Sequence, residues 1–433
     1  MNFSDSEIIA SIMKDKGYSL SDDPKEADAI FINTCSIRDH AEQRILKRLR
    51  ELSSLKKKNN KLVIGILGCM AERLKEQILE QEKIVDIVAG PDSYRQLPSL
   101  LQEVEAGQKG INILLSEDET YTDIIPVRYA SNKVSAFISI MRGCQNYCSY
   151  CVVPFTRGRE RSRNVSSIVD EARELFEQGY REITVLGQNV NSYLWEAKGS
   201  KVNFAGLLEQ MAAIDPMLRL RFATSHPKDL SDELLQLMAS YNNICKSIHL
   251  PVQSGSSRIL VLMNRKYTRE WYMNRIEAIH SILKNCSVST DIITGFCTET
   301  EDDNHQTLSL MEWAKFDFAY MFKYSERPDT LAAKKYPDDV PEDTKSARLK
   351  EIIALQQKLS YNSNKNDTGK EFTVLAEGLS KRSNAHLFGR NSQNKVVVFP
   401  KNNHFPGDYV NIMVTHCTPA TLIGTESDLQ TPC

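Results

Sequence analysis

Met141-Arg142-Gly143-Cys144-Gln145-Asn146-Tyr147-Cys148-Ser149-Tyr150-Cys151 is the stretch from which the rest of the chain is read. Its cysteines are separated by three and then two residues, at the end of the apolar run Phe137-Ile138-Ser139-Ile140-Met141, which reads as a strand. A compact loop with this spacing brings three thiolates onto three irons of one 4Fe–4S cube and leaves the fourth iron without a protein ligand. A small molecule can chelate at such an iron. Structural zinc prefers four ligands, usually as two short pairs, and no fourth Cys or His stands close by in sequence. An odd number of thiols with no sign of secretion also disfavours disulfides.

The surroundings fit a soluble, multi-domain protein. A chain of 433 residues is long enough for two or three separate cores. Its hydrophobic share of 41% and charged share of 25% are ordinary for globular proteins. No run approaches the ~18 apolar residues of a membrane span, and no basic-then-apolar leader opens the chain, so the expected compartment is the cytoplasm. There, ten cysteines point to metal or redox use. A net charge of -2 excludes a generally polycationic nucleic-acid binder and leaves RNA contact to local basic patches.

Residues 1–125 alternate helix and strand patterns. Asn2 to Gly17 reads as an amphipathic helix with Ser4 or Asp5 as N-cap. Ala29-Ile30-Phe31-Ile32-Asn33, Leu62-Val63-Ile64-Gly65-Ile66-Leu67 and Ile84-Val85-Asp86-Ile87-Val88 read as strands, with helices between them. This alternation predicts an α/β fold with a doubly wound parallel sheet, whose functional residues lie just past the strand C-terminal ends. Cys35 and Cys69 both fall there, as a shared ligand pair or as small core residues. The helix carrying Arg44, Lys47, Arg48 and Arg50, followed by Lys56-Lys57-Lys58, is either a solvated face or a phosphate track.

Residues 130–365 repeat strand and helix six times, with strands at 137–141, 182–186, 220–223, 247–250, 288–293 and 318–324. Six parallel strands with right-handed crossovers make a partial (β/α)6 barrel. Polar segments collect at its strand ends: Gly187-Gln188-Asn189-Val190-Asn191-Ser192-Tyr193, Thr224-Ser225-His226-Pro227, Pro251-Val252-Gln253-Ser254-Gly255 and Thr294-Gly295-Phe296. Arg157, Arg159, Arg161 and Arg163 alternate. In an extended segment they would share one side and suit phosphate; otherwise they form a pairing network with Glu160 and neighbouring carboxylates. From 368 to 433, short strands at 372–376, 395–399, 409–414 and 422–424 predict a small β-barrel.

CxxxCxxC after a first strand resembles the radical-SAM superfamily, in which the open iron binds S-adenosylmethionine. Arg142-Gly143-Cys144, Asn146-Tyr147-Cys148 and Val153-Pro154-Phe155-Thr156-Arg157-Gly158-Arg159-Glu160-Arg161-Ser162-Arg163 resemble the methylthiotransferase family, nearest its tRNA branch that makes 2-methylthio-isopentenyladenosine. The resemblance implies radical insertion of sulfur at carbon 2 of the adenine beside the anticodon, then methylation. It implies a catalytic cluster on Cys144, Cys148 and Cys151, and Gln188, Ser225 and Gln253 around S-adenosylmethionine. It also implies an auxiliary 4Fe–4S cluster on Cys35, Cys69 and a third cysteine. That third ligand belongs to a Gly-Cys-Gln-Met-Asn motif, of which Met1-Asn2-Phe3-Ser4-Asp5-Ser6-Glu7 looks like the remainder. The expectation is therefore a true start ~20 residues upstream, one strand plus its turn.

The last segment resembles a TRAM domain. Implied partners are tRNA carrying isopentenyladenosine, an electron donor such as flavodoxin or ferredoxin, and sulfur-delivery or cluster-assembly proteins, with the enzyme a monomer. The alternatives are a sister methylthiotransferase acting on threonylcarbamoyl-adenosine or a ribosomal protein, a one-cluster radical enzyme, and an inactive RNA-binding protein.

Overall fold

A computed structural model describes residues 1–34, 39–128, 133–197 and 199–427. Contacts divide the chain into two compact units. The first comprises Met1–Tyr129, Met141–Ser167 and Arg327–Leu331, and the second Ala130–Ile140, Ile168–Glu326 and Ala332–Cys433.

The first unit is built on four parallel strands in sequential order: β1 (Ala29–Thr34), β2 (Val63–Gly68), β3 (Ile87–Ala89) and β4 (Gly110–Asn112). The side chains of β2 divide between two cores, as the period-two geometry of a strand requires. Val63 and Leu67 pack with Ile8, Ile12, Leu97 and Leu101, from α1 (Asn2–Asp15) and α4 (Leu97–Glu105). Ile64 and Ile66 pack with Leu49 and Leu52 of α2 (Asp39–Lys58) and Met70 of α3 (Cys69–Leu74). Helices thus cover both faces of the sheet. Gly65 is required at the sheet centre, because a Cβ there would come within 2.6 Å of the Phe31 ring.

Two local expectations change. The first helix starts at Asn2, so neither Ser4 nor Asp5 caps it. It is buried over most of its surface, Ser4, Asp5 and Glu7 included. The apolar run 137–141 is not one strand either. It ends at Ser139, and Met141–Arg142 pairs antiparallel with Arg161–Ser162 instead. Between these two segments lies α5 (Val153–Arg157).

The second unit holds six parallel strands: β5 (Ser135–Ser139), β6 (Glu182–Leu186), β7 (Arg219–Ala223), β8 (Ser247–His249), β9 (Ser287–Thr294) and β10 (Phe318–Lys323). They form two trios, β7-β6-β5 and β8-β9-β10, joined by a parallel bridge between Leu220 and Ile244. This is the partial (β/α)6 barrel. Its helices begin where the sequence places capping hydroxyls. Ser231 accepts from the Leu234 N–H, Thr268 from the Trp271 N–H, and Thr300 forms a capping box with Asp303.

The last five strands are β11 (Glu371–Ser380), β12 (Ser383–Arg390), β13 (Val396–Pro400), β14 (Tyr409–Cys417) and β15 (Leu422–Glu426). They close into a barrel in the order β11-β12-β13-β15-β14. β12 had no counterpart among the expected strands, because Ser-Asn-Ala-His-Leu-Phe-Gly-Arg carries little apolar alternation. Gly389 lets it approach β11, since a Cβ there would meet the Leu375 carbonyl oxygen at 2.0 Å. No helix among the described residues is long and apolar enough to cross a membrane.

Two arginines of β7 hold the small barrel to the large one. Arg219 donates to the Arg390 carbonyl at 2.7 Å. Arg221 donates to the carbonyls of Asn391 and Ser392 at 2.6 and 3.2 Å and to the Glu182 carboxylate at 2.8 Å. Replacing Arg221 by Met removes all three bonds and leaves Glu182 buried without its cation. The expected cost is about 3–5 kcal/mol, read as a lower urea midpoint.

Candidate functional site

Cys144, Cys148 and Cys151 lie on one loop between Arg142 and α5, in the first unit. None is in a disulfide, and all three are partly exposed. Gly143, at φ +80°, starts the loop, and a Cβ there would stand 1.9 Å from the Arg159 carbonyl oxygen. The Cys144 N–H donates to the Gly158 carbonyl at 3.1 Å, and the Gln145 N–H to the Glu160 carboxylate at 3.1 Å. Tyr147 takes a left-handed conformation, and the Cys151 N–H donates back to the Cys148 carbonyl at 3.0 Å. The chain downstream is thus folded back against the loop, which bonds its own ends.

Among the described residues no three Cys, His, Asp or Glu side chains converge on a single ion. A 4Fe–4S cube takes each thiolate on a separate iron, so its ligands stand apart. Three unbridged thiols on one partly open loop fit that group.

Both flanks of the loop are anchored to one carboxylate. Asp5 is fully buried and accepts from Arg142 at 3.0 Å and from Arg157 at 2.7 Å. Arg142 also donates to the Pro91 carbonyl at 3.0 Å, lies 3.6 Å from Asp92, and packs over the Tyr121 ring at 4.8 Å. Arg161 pairs with Asp92 at 3.0 Å. The row from Arg157 to Arg163 is therefore no phosphate comb. Arg157, Arg161 and Arg163 are buried, and only Arg159 is exposed.

Cys69 is buried at the start of α3, which packs against α5. Arg157 Nε lies 3.2 Å from its Sγ. Gly68, at φ +87°, turns the chain into α3, where a Cβ would meet Asn33 Oδ1 at 2.6 Å. Thr34 pairs with Gly68 in the sheet register, so the ends of β1 and β2 are level. Cys35, the residue after Thr34, lies outside the described residues.

The other predicted site residues belong to the second unit, at the C-terminal ends of its strands. Ser225 is buried and donates to Asn191 Oδ1 at 3.1 Å. Gln253 is buried at φ +74° and bridges to Ile292 through its backbone. Gln188 Oε1, Asn191 Nδ2 and His226 Nε2 are buried with no hydrogen-bond partner among the described residues. An unsatisfied buried polar atom costs about 1–3 kcal/mol, so such a group of atoms fits a polar ligand.

His226 was notable in the sequence only by position. Its Nδ1 accepts the Lys228 N–H at 3.3 Å, which leaves the proton on Nε2. Burial, with Arg265, Lys228 and Lys266 nearby, pushes its pKa down to about 2. The ring is a neutral donor at physiological pH.

An open parallel barrel, and a three-cysteine loop that follows its first strand in sequence, are features of a radical-SAM enzyme. Three family models match the chain: the Radical SAM superfamily over residues 138–311, the Uncharacterized protein family UPF0004 over 1–90, and the TRAM domain over 365–425. The tRNA-2-methylthio-N(6)-dimethylallyladenosine synthase of Amoebophilus asiaticus is 58% identical, covering 98% of this chain and 90% of that protein. Those of Phocaeicola vulgatus and Chloroherpeton thalassium are 57% and 55% identical, each covering 98% of this chain and 93% of the relative. The chain belongs to this family of radical-SAM tRNA methylthiotransferases. Among solved structures, the radical S-adenosylmethionine methyltransferase TsrM from Kitasatospora setae shares the fold. Its TM-score is 0.59 at 14% identity, covering 76% of this chain and 70% of that one.

Two outcomes follow. Gly143→Ala, which cannot place its Cβ, is expected to fold but to bind about four fewer irons on anaerobic reconstitution, as counted by iron assay. The second concerns Asp5. Burial raises its pKa, but Arg142 and Arg157 outweigh burial and hold it at about 2. With the folded value below the ordinary 3.8, the stabilisation is full above about pH 4 and lost as pH falls through about 2. Asp5→Asn is expected to cost about 2–4 kcal/mol at neutral pH, with the deficit shrinking in urea titrations at about pH 3 and below.

Proposed function

We infer that this chain methylthiolates carbon 2 of isopentenyladenosine next to the tRNA anticodon. The observation that carries the reading is the three-cysteine loop, in a chain whose relatives, matched over 98% of this chain and 90% and 93% of their own length, are named for this product. Carbon 2 bears an unactivated C–H bond that side-chain acids and bases cannot open, so a cofactor must supply the hard step. When bound, a 4Fe–4S cluster with S-adenosylmethionine supplies a carbon radical that takes the hydrogen, and an auxiliary cluster supplies the sulfur.

The chain's own residues have four tasks. Cys144, Cys148 and Cys151 hold the reductive cluster and leave one iron for S-adenosylmethionine. Gln188, Ser225 and Gln253, joined by Asn191 and His226, orient that molecule with neutral donors and acceptors. This suits a ligand that carries both an ammonium and a carboxylate. Cys35 and Cys69 contribute to the auxiliary cluster. The closed terminal barrel and the basic α2 provide RNA contact, while the target base is splayed out of its loop for access to carbon 2. A flavodoxin or ferredoxin as electron donor, sulfur-delivery proteins, a monomeric state and a cytoplasmic location complete the reading.

The test is anaerobic turnover with S-adenosylmethionine, a reductant and a sulfur source. Substrates are tRNA bearing isopentenyladenosine, tRNA bearing threonylcarbamoyl-adenosine, and a ribosomal-protein mixture. Nucleoside mass spectrometry is expected to show 2-methylthio-isopentenyladenosine from the first alone, and none with Cys148→Ala. Product from another substrate moves the chain to a sister activity. Reductive cleavage of S-adenosylmethionine without sulfur insertion supports the one-cluster alternative. A filled cluster that never cleaves S-adenosylmethionine removes the enzymatic reading.

A further inference from the structure

Arg157 makes more contacts than an ion pair requires. Its guanidinium gives one N–H to Asp5 at 2.7 Å and presents Nε to Cys69 Sγ at 3.2 Å, both in the buried interior of the first unit. Nη1 of the same group is buried with no hydrogen-bond partner among the described residues. A guanidinium is a rigid planar fork, so fixing one arm on Asp5 fixes where the other donors point. That aim is set by α5, which packs on α3 and brings Arg157 to the residue that begins α3.

Arg142, Arg157 and Arg161 are buried with the carboxylates of Asp5 and Asp92, and a third buried carboxylate, Glu72, lies near Asp92. Of the groups that Arg157 faces, the Cys69 sulfur is the one that could hold a metal.

We propose that Arg157 is a positioning residue for the auxiliary cluster. Its Nε–H donates to the Cys69 sulfur, fixes that ligand's direction, and stabilises the reduced, more negative state of the cluster. The proposal rests on reading Cys69 as a cluster ligand. Hydrogen bonds and positive charge at a ligating sulfur raise a cluster's reduction potential. Removing this donor should therefore lower it.

The experiment uses the chain extended upstream to the next cysteine, with Cys144, Cys148 and Cys151 all replaced by alanine, so that iron reports the auxiliary site alone. About four irons per chain are expected, and Cys69→Ala in that background should lose them. If Cys69→Ala keeps its iron, the ligand reading fails and the proposal falls with it. Once the loss is established, Arg157→Gln is expected to keep its iron. Its midpoint in a dithionite titration followed by EPR should shift negative by about tenfold in the equilibrium constant, ~59 mV for one electron. Arg157→Lys, which keeps the charge but not the fork, should lie between the two. Full iron at an unchanged midpoint in Arg157→Gln overturns the proposal. If Arg157→Gln does not fold, Arg157→Lys decides alone: a negative shift supports the assignment, and the parent midpoint overturns it.

Discussion

The Asp5 carboxylate is the constraint on which the rest of the first unit depends. It sits on a helix near the N-terminus, yet its two partners flank the cysteine loop, Arg142 two residues before Cys144 and Arg157 six residues after Cys151. Tying both ends of a loop to one buried atom pair removes most of its freedom before any ligand arrives. The order is supplied by folding, so cluster binding need not fund it. Buried ion pairs often contribute little net stability, because desolvation offsets attraction. They do specify geometry, which a metal-binding loop would require. Arginine suits the task because one planar group can serve two partners at a fixed angle.

The two units prepare their polar sites by opposite means. In the first, charges are buried and paired, and the aromatic rings of Tyr94 and Tyr121 stack at 5.7 Å beside them. In the second, the strand ends leave neutral atoms of Gln188, Asn191 and His226 without partners among the described residues. A neutral donor set can accept a zwitterion without favouring either charge strongly. An imidazolium at His226 would repel an ammonium, and burial among three cations removes that charge.

Much of this was legible in the sequence. The cysteine spacing, the strand–helix alternation and the polar strand ends are local patterns, and local patterns report backbone period and metal chemistry directly. The buried network was not legible. Asp5 reads as a helix cap because a lone acid near a helix start usually is one. Its true role depends on residues 137 and 152 positions away. The arginine row reads as a phosphate comb only if the segment is extended, and the helix at Val153–Arg157 breaks that geometry. β12 escaped notice because closure of the small barrel, not its own composition, makes it a strand.

The same reasoning bears on the chain's division. The apolar run before the cysteines looks continuous in sequence, but its hydrogen bonds separate at one residue. Ile140 N–H still bonds to Leu186 O in the second unit, whereas Met141 pairs with Ser162 in the first. The cysteine loop therefore takes its mechanical support from the unit that also contains Cys69. On the proposed reading, a cluster on Cys144, Cys148 and Cys151 and one involving Cys69 would be held by one buried network, through Asp5 and Arg157. For chemistry that needs a hydrogen removed and a sulfur delivered at the same carbon, placing both proposed cluster sites on one buried network would limit the misalignment that wastes a radical.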